Sequence, residues 1–258
     1  MSRIPDNTDT ILGKISGRTF INRFSERESI NTTVLGEDIW RGNELTPAPT
    51  SHVLIPTPAA AGEQMSVVSE SVNDASAGTG IRTLRIEYLD AAGDEQTEDV
   101  ILNGTTVVNT TATDIRFVQN MYALTVGSLK ASAGIIKIHK TGTVGLVYSM
   151  IQAGFNNSTL SHYMVPRNRE LVIQGWHVSE AQAKRVAVYI RSTDTNGVLL
   201  SGIFNSKNVV YIKQTSSPSM ILGYKIPALS IIKVSCYSSI AGAEVSTNWW
   251  GELFVMHP

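Results

Sequence analysis

Between Arg82 and Leu89, apolar and polar side chains alternate: Leu84, Ile86 and Tyr88 on one side, Thr83, Arg85 and Glu87 on the other. A period of two sets one row against a core and the other in water, so the spacing predicts a half-buried strand. The turn-formers Asp90-Ala91-Ala92-Gly93-Asp94 follow. Alternation then resumes from Thr97 to Leu102, with Val100 and Leu102 on one face and Asp99 and Ile101 on the other. Asn103-Gly104 predicts a type I′ hairpin, a turn that needs positive φ at both central residues. Residues 78–126 therefore read as an antiparallel meander with an arm before it and a second β unit behind it.

Residues 1–51 carry apolar side chains in widely spaced twos and threes, with neither a helical nor a strand period. Such a segment cannot bury enough surface to fold alone. Yet Phe20, Phe24 and Trp40 would each cost roughly 1.5–3 kcal/mol if left in water. The segment reads as an extended arm lying across its own domains or a neighbouring subunit, anchored by those aromatics. Asp38-Ile39-Trp40 is taken as packing rather than as a functional motif.

Residues 52–143 hold six or seven short strand candidates at about 8–12-residue spacing, which predicts an antiparallel sandwich. They are Val53–Ile55, Gln64–Val72, the central alternating runs, Ile115–Val118, Tyr122–Val126 and Gly134–Ile138. Residues 144–258 hold nine more: Leu146–Ile151, His162–Val165, Leu171–Val178, Arg185–Arg191, Leu199–Phe204, Val209–Lys213, Met220–Ile226, Ile231–Tyr237 and Trp249–Met256. Only Ser179–Lys184 has helical flavour. The predicted fold class is all-β: an extended amino-terminal arm followed by two antiparallel β-sandwiches, the second jelly-roll-like. In the last run Trp249, Gly251, Leu253 and Val255 share one face and Trp250, Glu252, Phe254 and Met256 the other. Two apolar faces on one strand mean burial on both sides or a subunit interface, so Trp250, Phe254 and Met256 join Phe20, Phe24 and Trp40 as candidate interface residues.

Composition narrows the chemistry. Charged residues are 17% of the 258 and net charge is −1, so no long-range attraction to nucleic acid or to an anionic membrane is expected. No apolar run approaches the ~18 residues of a membrane helix, and no secretion signal is read in the polar start. The single cysteine, Cys236, excludes an internal disulfide framework and reads as a small buried hydrophobe. His52, His139, His162, His177 and His257 show no metal-ligand spacing. Gly78-Thr79-Gly80 is not followed by a helical pattern and reads as a turn rather than a phosphate cradle. Asp90, Asp94, Glu95, Glu98 and Asp99 do not match a calcium loop and read as a solvated hairpin tip. Tyr148, Phe155, Tyr163, Tyr189, Tyr211 and Tyr237 could form a sugar-stacking platform but are taken as core. No cofactor, metal or catalytic residue is assigned.

Several blocks resemble virion proteins of tailed bacteriophages: Thr79–Ile86, Leu89-Asp90 and Glu98–Thr106 at the centre, Ile21–Phe24 and Gly36–Trp40 ahead, and Val165-Pro166, Glu170–Trp176, Pro227 and Ile231–Val234 behind. Pro227-Ala228-Leu229-Ser230 departs from the more charged turn of that pattern. The resemblance implies a non-enzymatic particle component, made in the host cytoplasm and located in the virion. The expected partners are copies of itself, with a homotrimer favoured, and other virion proteins such as the major capsid protein, without nucleic acid or membrane. Arm and sandwiches together suit a capsid-associated cement or decoration protein. A neck, tail or fibre component that binds host glycan is the alternative, and a sandwich enzyme acting on glycans is a third reading.

Overall fold

A computed structural model describes residues 18–30, 37–40, 59, 61–193, 204–213 and 220–256. Among them the chain is all-β, with sixteen strands, antiparallel pairing throughout and no helix. Sheet I orders β1 (Arg18–Ile30), β16 (Ala243–Val255), β11 (Arg169–Glu180) and β14 (Met220–Ile226). Sheet II orders β10 (Tyr163–Met164), β15 (Ile231–Ser238), β12 (Arg185–Ser192) and β13 (Asn205–Lys213), with β2 (Glu37–Asp38) also on β15. Sheet III orders β6 (Val108–Asn109), β3 (Met65–Ser69), β8 (Ile136–Lys140) and β9 (Thr143–Ile151). Sheet IV orders β5 (Glu95–Ile101), β4 (Ile81–Leu89) and β7 (Phe117–Val126).

Two cores result. Sheets I and II share one, in which Trp176 and Trp249 are fully buried among Ile173, Val188, Val234 and Leu253. Their indole N–H groups donate to Thr247 Oγ1 (2.8 Å) and Ser161 O (2.6 Å), so neither ring is buried with an unmet donor. Cys236 is buried in the same core. Sheets III and IV share the second, where Leu84, Ile86, Tyr88 and Val100 face inward as their alternation predicts.

Asp90–Asp94 does turn the chain between β4 and β5, with Gly93 at φ +87° and the Asp90 carboxylate accepting the Ala92 and Asp94 N–H groups. Asn103-Gly104 closes a tight turn one position later than predicted, with the Thr106 N–H donating to Asn103 O (3.0 Å) across Gly104-Thr105, but β5 and β6 do not pair. Only Gly104 of the pair takes positive φ (+60°). Its N–H donates to Asp74 O at 2.7 Å, which draws the chain out of sheet IV, and β6 then pairs with β3 in sheet III. Sheet IV is therefore β5-β4-β7 and not a meander. The two runs between Ile115 and Val126 merge into β7, whose register on β4 is broken by bulges. At Ser179–Lys184, β11 runs on to Glu180. Its carboxylate then accepts the Gln182 and Lys184 N–H groups in a turn with Ala183 at φ +56°. The runs 53–55 and 199–203 lie outside the described residues.

β2 and β10 occupy one edge of β15. Glu37 and Asp38 oppose Cys236 and Ser235, the Ile39 N–H donates to Val234 O (3.0 Å), and Tyr163 and Met164 oppose Ile232 and Ile231. They are two pieces of one broken strand, and sheets III and IV are inserted at the break. The described part of the arm lies within sheets I and II, and the 143/144 boundary falls inside the β8–β9 hairpin, where Lys140 opposes Thr143. Contacts across the junction include Gln119, whose side chain accepts the Met164 N–H (3.2 Å) and donates to Met164 O (2.5 Å). Leu89, Phe117, Met164 and Ile231 pack together beside it.

Candidate assembly interface

β1 holds sheet I with an inverted pattern. Its inward side chains are Ile21, Arg23, Ser25 and Arg27, and its outward ones include Phe20, Asn22 and Phe24. Arg23 lies 5.0 Å over the Tyr163 ring and donates from Nη1 to Gln119 O (2.9 Å). Burial pulls its guanidinium pKa down, against the upward pull of Tyr163 and Glu87. Ser25 Oγ bonds Ile39 O and Thr159 O (3.0 Å). These polar contacts tie β1 to the chain's interior and leave its aromatics on the surface.

The register of β1 on β16 assembles the outer face. Phe20 opposes Glu252, Asn22 opposes Trp250 and Arg18 opposes Phe254, so Trp250 and Phe254 are the diagonal neighbours of Phe20. Phe20 is 61% exposed and Phe24 46%; Trp250 and Phe254 are half-buried. The Trp250 indole lies over Gly175, where a Cβ would land in the ring, so the glycine makes room for it. The Arg18 guanidinium sits 5.0 Å over Phe254, with Nη1 3.8 Å from Glu252. Met256, 43% exposed, follows the end of β16, its N–H donating to Asn168 O (2.9 Å). The Glu170–Lys225 pair (3.3 Å) belongs to the polar rim.

Five of the six predicted interface residues thus gather on or next to this face. Trp40 is elsewhere: it is 3% exposed and packs against Val147, Met150 and Leu160 of its own chain. Sequence reasoning missed Arg23 and Gly175. The signal for Gly175 was a glycine inside an apolar strand pattern, which marks a close approach.

The other candidates are dispersed. Asp94 pairs with Arg167, Asp99 with Arg85, and Glu98 accepts the Thr111 and Ala112 N–H groups. Glu95 lies 3.7 Å from Arg169, its carboxyl pushed up by burial. No group of three or more metal-ligating side chains occurs among the described residues. Gly78-Thr79-Gly80 forms turns, and the Asp74 carboxylate fills the space that a Gly80 Cβ would need. His139 and His162 are buried, His177 is half-buried, and His52 and His257 lie outside the described residues. Tyr148 and Tyr163 are core, whereas Tyr189, Tyr211 and Tyr237 lie on the outer face of sheet II, with Tyr211 the most open.

No family model and no curated protein matches this chain. Among solved structures it is similar to one titled "Structure of infectious bursal disease virus Gx strain", with a TM-score of 0.22 and 8% identity over 92% of this chain and 71% of that one. A likeness so slight says nothing about what this chain does.

Proposed function

We propose that this chain is a non-enzymatic structural component of a tailed-bacteriophage virion, a capsid-associated cement or decoration protein that self-associates, as a trimer, and clamps neighbouring subunits. The observation that carries the reading is the outer face of sheet I, where Phe20, Phe24, Trp250 and Phe254 share one surface with Met256 at its margin. Contiguous aromatic surface rimmed by charge is the ordinary signature of a contact with another protein. The strand order supports a jelly-roll. Counting β2 and β10 as one strand, the first, eighth, third and sixth strands form sheet I and the second, seventh, fourth and fifth form sheet II. Sheets III and IV, packed on their own core, would be the other sandwich, inserted at the broken strand.

Sedimentation of the purified chain tests the interface. The wild type is expected to sediment as an oligomer, and the Phe20→Ser/Phe24→Ser double variant as a monomer with an unchanged circular-dichroism spectrum, because both rings are exposed. A wild type that stays monomeric at about 100 µM, where an interface of even ~10 µM Kd would be largely occupied, counts against it. A neck, tail or fibre location is the second reading, favoured by the open tyrosines of sheet II.

A further inference from the structure

The outer face of sheet II carries an open slot of about 440 Å³. Its floor is Ala187 of β12. The ladders place Tyr211 of β13 and Tyr237 of β15 directly opposite Ala187, one on each side. Residues in register share a face, and the neighbours Val186 and Val188 are buried in the core, so Ala187 and both tyrosines point outward. Strands two apart in a sheet are separated by about 9.5 Å, room for one saccharide ring between two aromatic side chains above a methyl floor. Arg185, two residues earlier on the same face, and Lys213 opposite it stand at one end of the slot. Tyr189, next along the same face, is already covered by the Arg191 guanidinium at 4.7 Å. Tyr211 is 78% exposed, so its ring contributes little to the core.

We infer that this slot binds a carboxylated sugar unit of an acidic polysaccharide, a uronic or sialic acid. A pyranose presents a C–H face that stacks on a phenol ring and hydroxyls that bond the tyrosine O–H groups at the rim. Its carboxylate fits the planar fork of Arg185. A neutral sugar would leave that end unused. A single-stranded nucleic acid would call for several bases stacked in succession along a basic track, whereas the slot has room for one ring. The slot is on a different sheet from the aromatic face of β1 and β16, and the inference holds whether or not that face is an assembly interface.

Calorimetric titration of the full chain tests it, with oligogalacturonate, α-2,8-linked oligosialic acid and hyaluronate oligomers as probes and maltotetraose and a short oligothymidylate as controls. At least one acidic oligosaccharide is expected to bind with a Kd of about 1 mM or tighter. Tyr211→Ala and Arg185→Gln are each expected to weaken it at least tenfold, Ala187→Leu to abolish it by filling the floor, and maltotetraose to give no heat. The melting temperature of Tyr211→Ala should equal that of the wild type. The inference is overturned if none of the three acidic probes binds, if the variants bind as the wild type does, or if maltotetraose or the oligonucleotide binds as well.

Discussion

The carboxylate of Asp74 is fully buried and accepts from the N–H groups of Ile81 (2.8 Å), Ala133 (2.9 Å) and Gly134 (2.9 Å) and from Ser69 Oγ (2.7 Å). One side chain thus joins the start of β4, the loop before β8 and the end of β3. Asp74→Ala would strand three backbone donors, two of them buried, and is expected to cost about 3 kcal/mol, read as a lower denaturation midpoint at unchanged slope. Nothing near Asp74 distinguishes it in sequence from an ordinary turn aspartate, because its partners lie up to 60 residues away. His162 is the second residue with a large expected effect. It is buried, neither ring nitrogen has a hydrogen-bond partner among the described residues, and burial first, then Lys233 and Arg23, hold its pKa well below 6.5. Asp38, which pairs with Lys233, is the carboxylate beside that cation. The unfolded chain binds a proton here that the folded chain refuses. Stability is therefore complete above about pH 6.5 and falls with acidification, by up to about 1.4 kcal/mol per pH unit until the folded pKa is reached. Denaturant titrations from pH 8 to pH 5 should show that slope, and His162→Leu should flatten it.

At the scale of elements, β1 shows where pattern reading fails. Period-two alternation finds β4 and β5, since the side facing their core is apolar. β1 turns Arg23, Ser25 and Arg27 inward and Phe20 and Phe24 outward, so its apolar row marks the surface and the segment reads as an arm. β2 is harder still, with two residues held by backbone pairing and by Asp38, whose carboxylate lies 2.8 Å from Lys233 Nζ. Lys233 also stands 4.2 Å over the Phe204 ring. Lys233→Met removes the cation beside a buried carboxylate and is expected to cost about 3–5 kcal/mol, measurable in the same titrations. The candidate interface was legible in part for a related reason. The two apolar faces of β16 are visible in its sequence, while the partnership of Trp250 and Phe254 with Phe20 depends on a pairing between residues more than two hundred positions apart.

In the whole molecule, the insertion of sheets III and IV into a broken strand makes one part of the chain depend on the other. The β2–β10 edge of β15 is complete only when Trp40 and His162 have been brought close, and no composition change marks either point. Met164 sits at the junction, fully buried against Leu89, Phe117 and Ile231 and bonded to Gln119. Met164→Ala is expected to cost about 2–5 kcal/mol, and calorimetry should show the single transition of the wild type separating into two as the units uncouple. The copy number of this chain in purified virions, by quantitative mass spectrometry against the major shell protein, tests the proposed structural role most directly. A ratio of about one, or about one third for a trimer on each lattice position, is the result predicted for a cement protein. A ratio of a few hundredths would move the chain to the neck or tail, and its absence from virions would contradict the structural role.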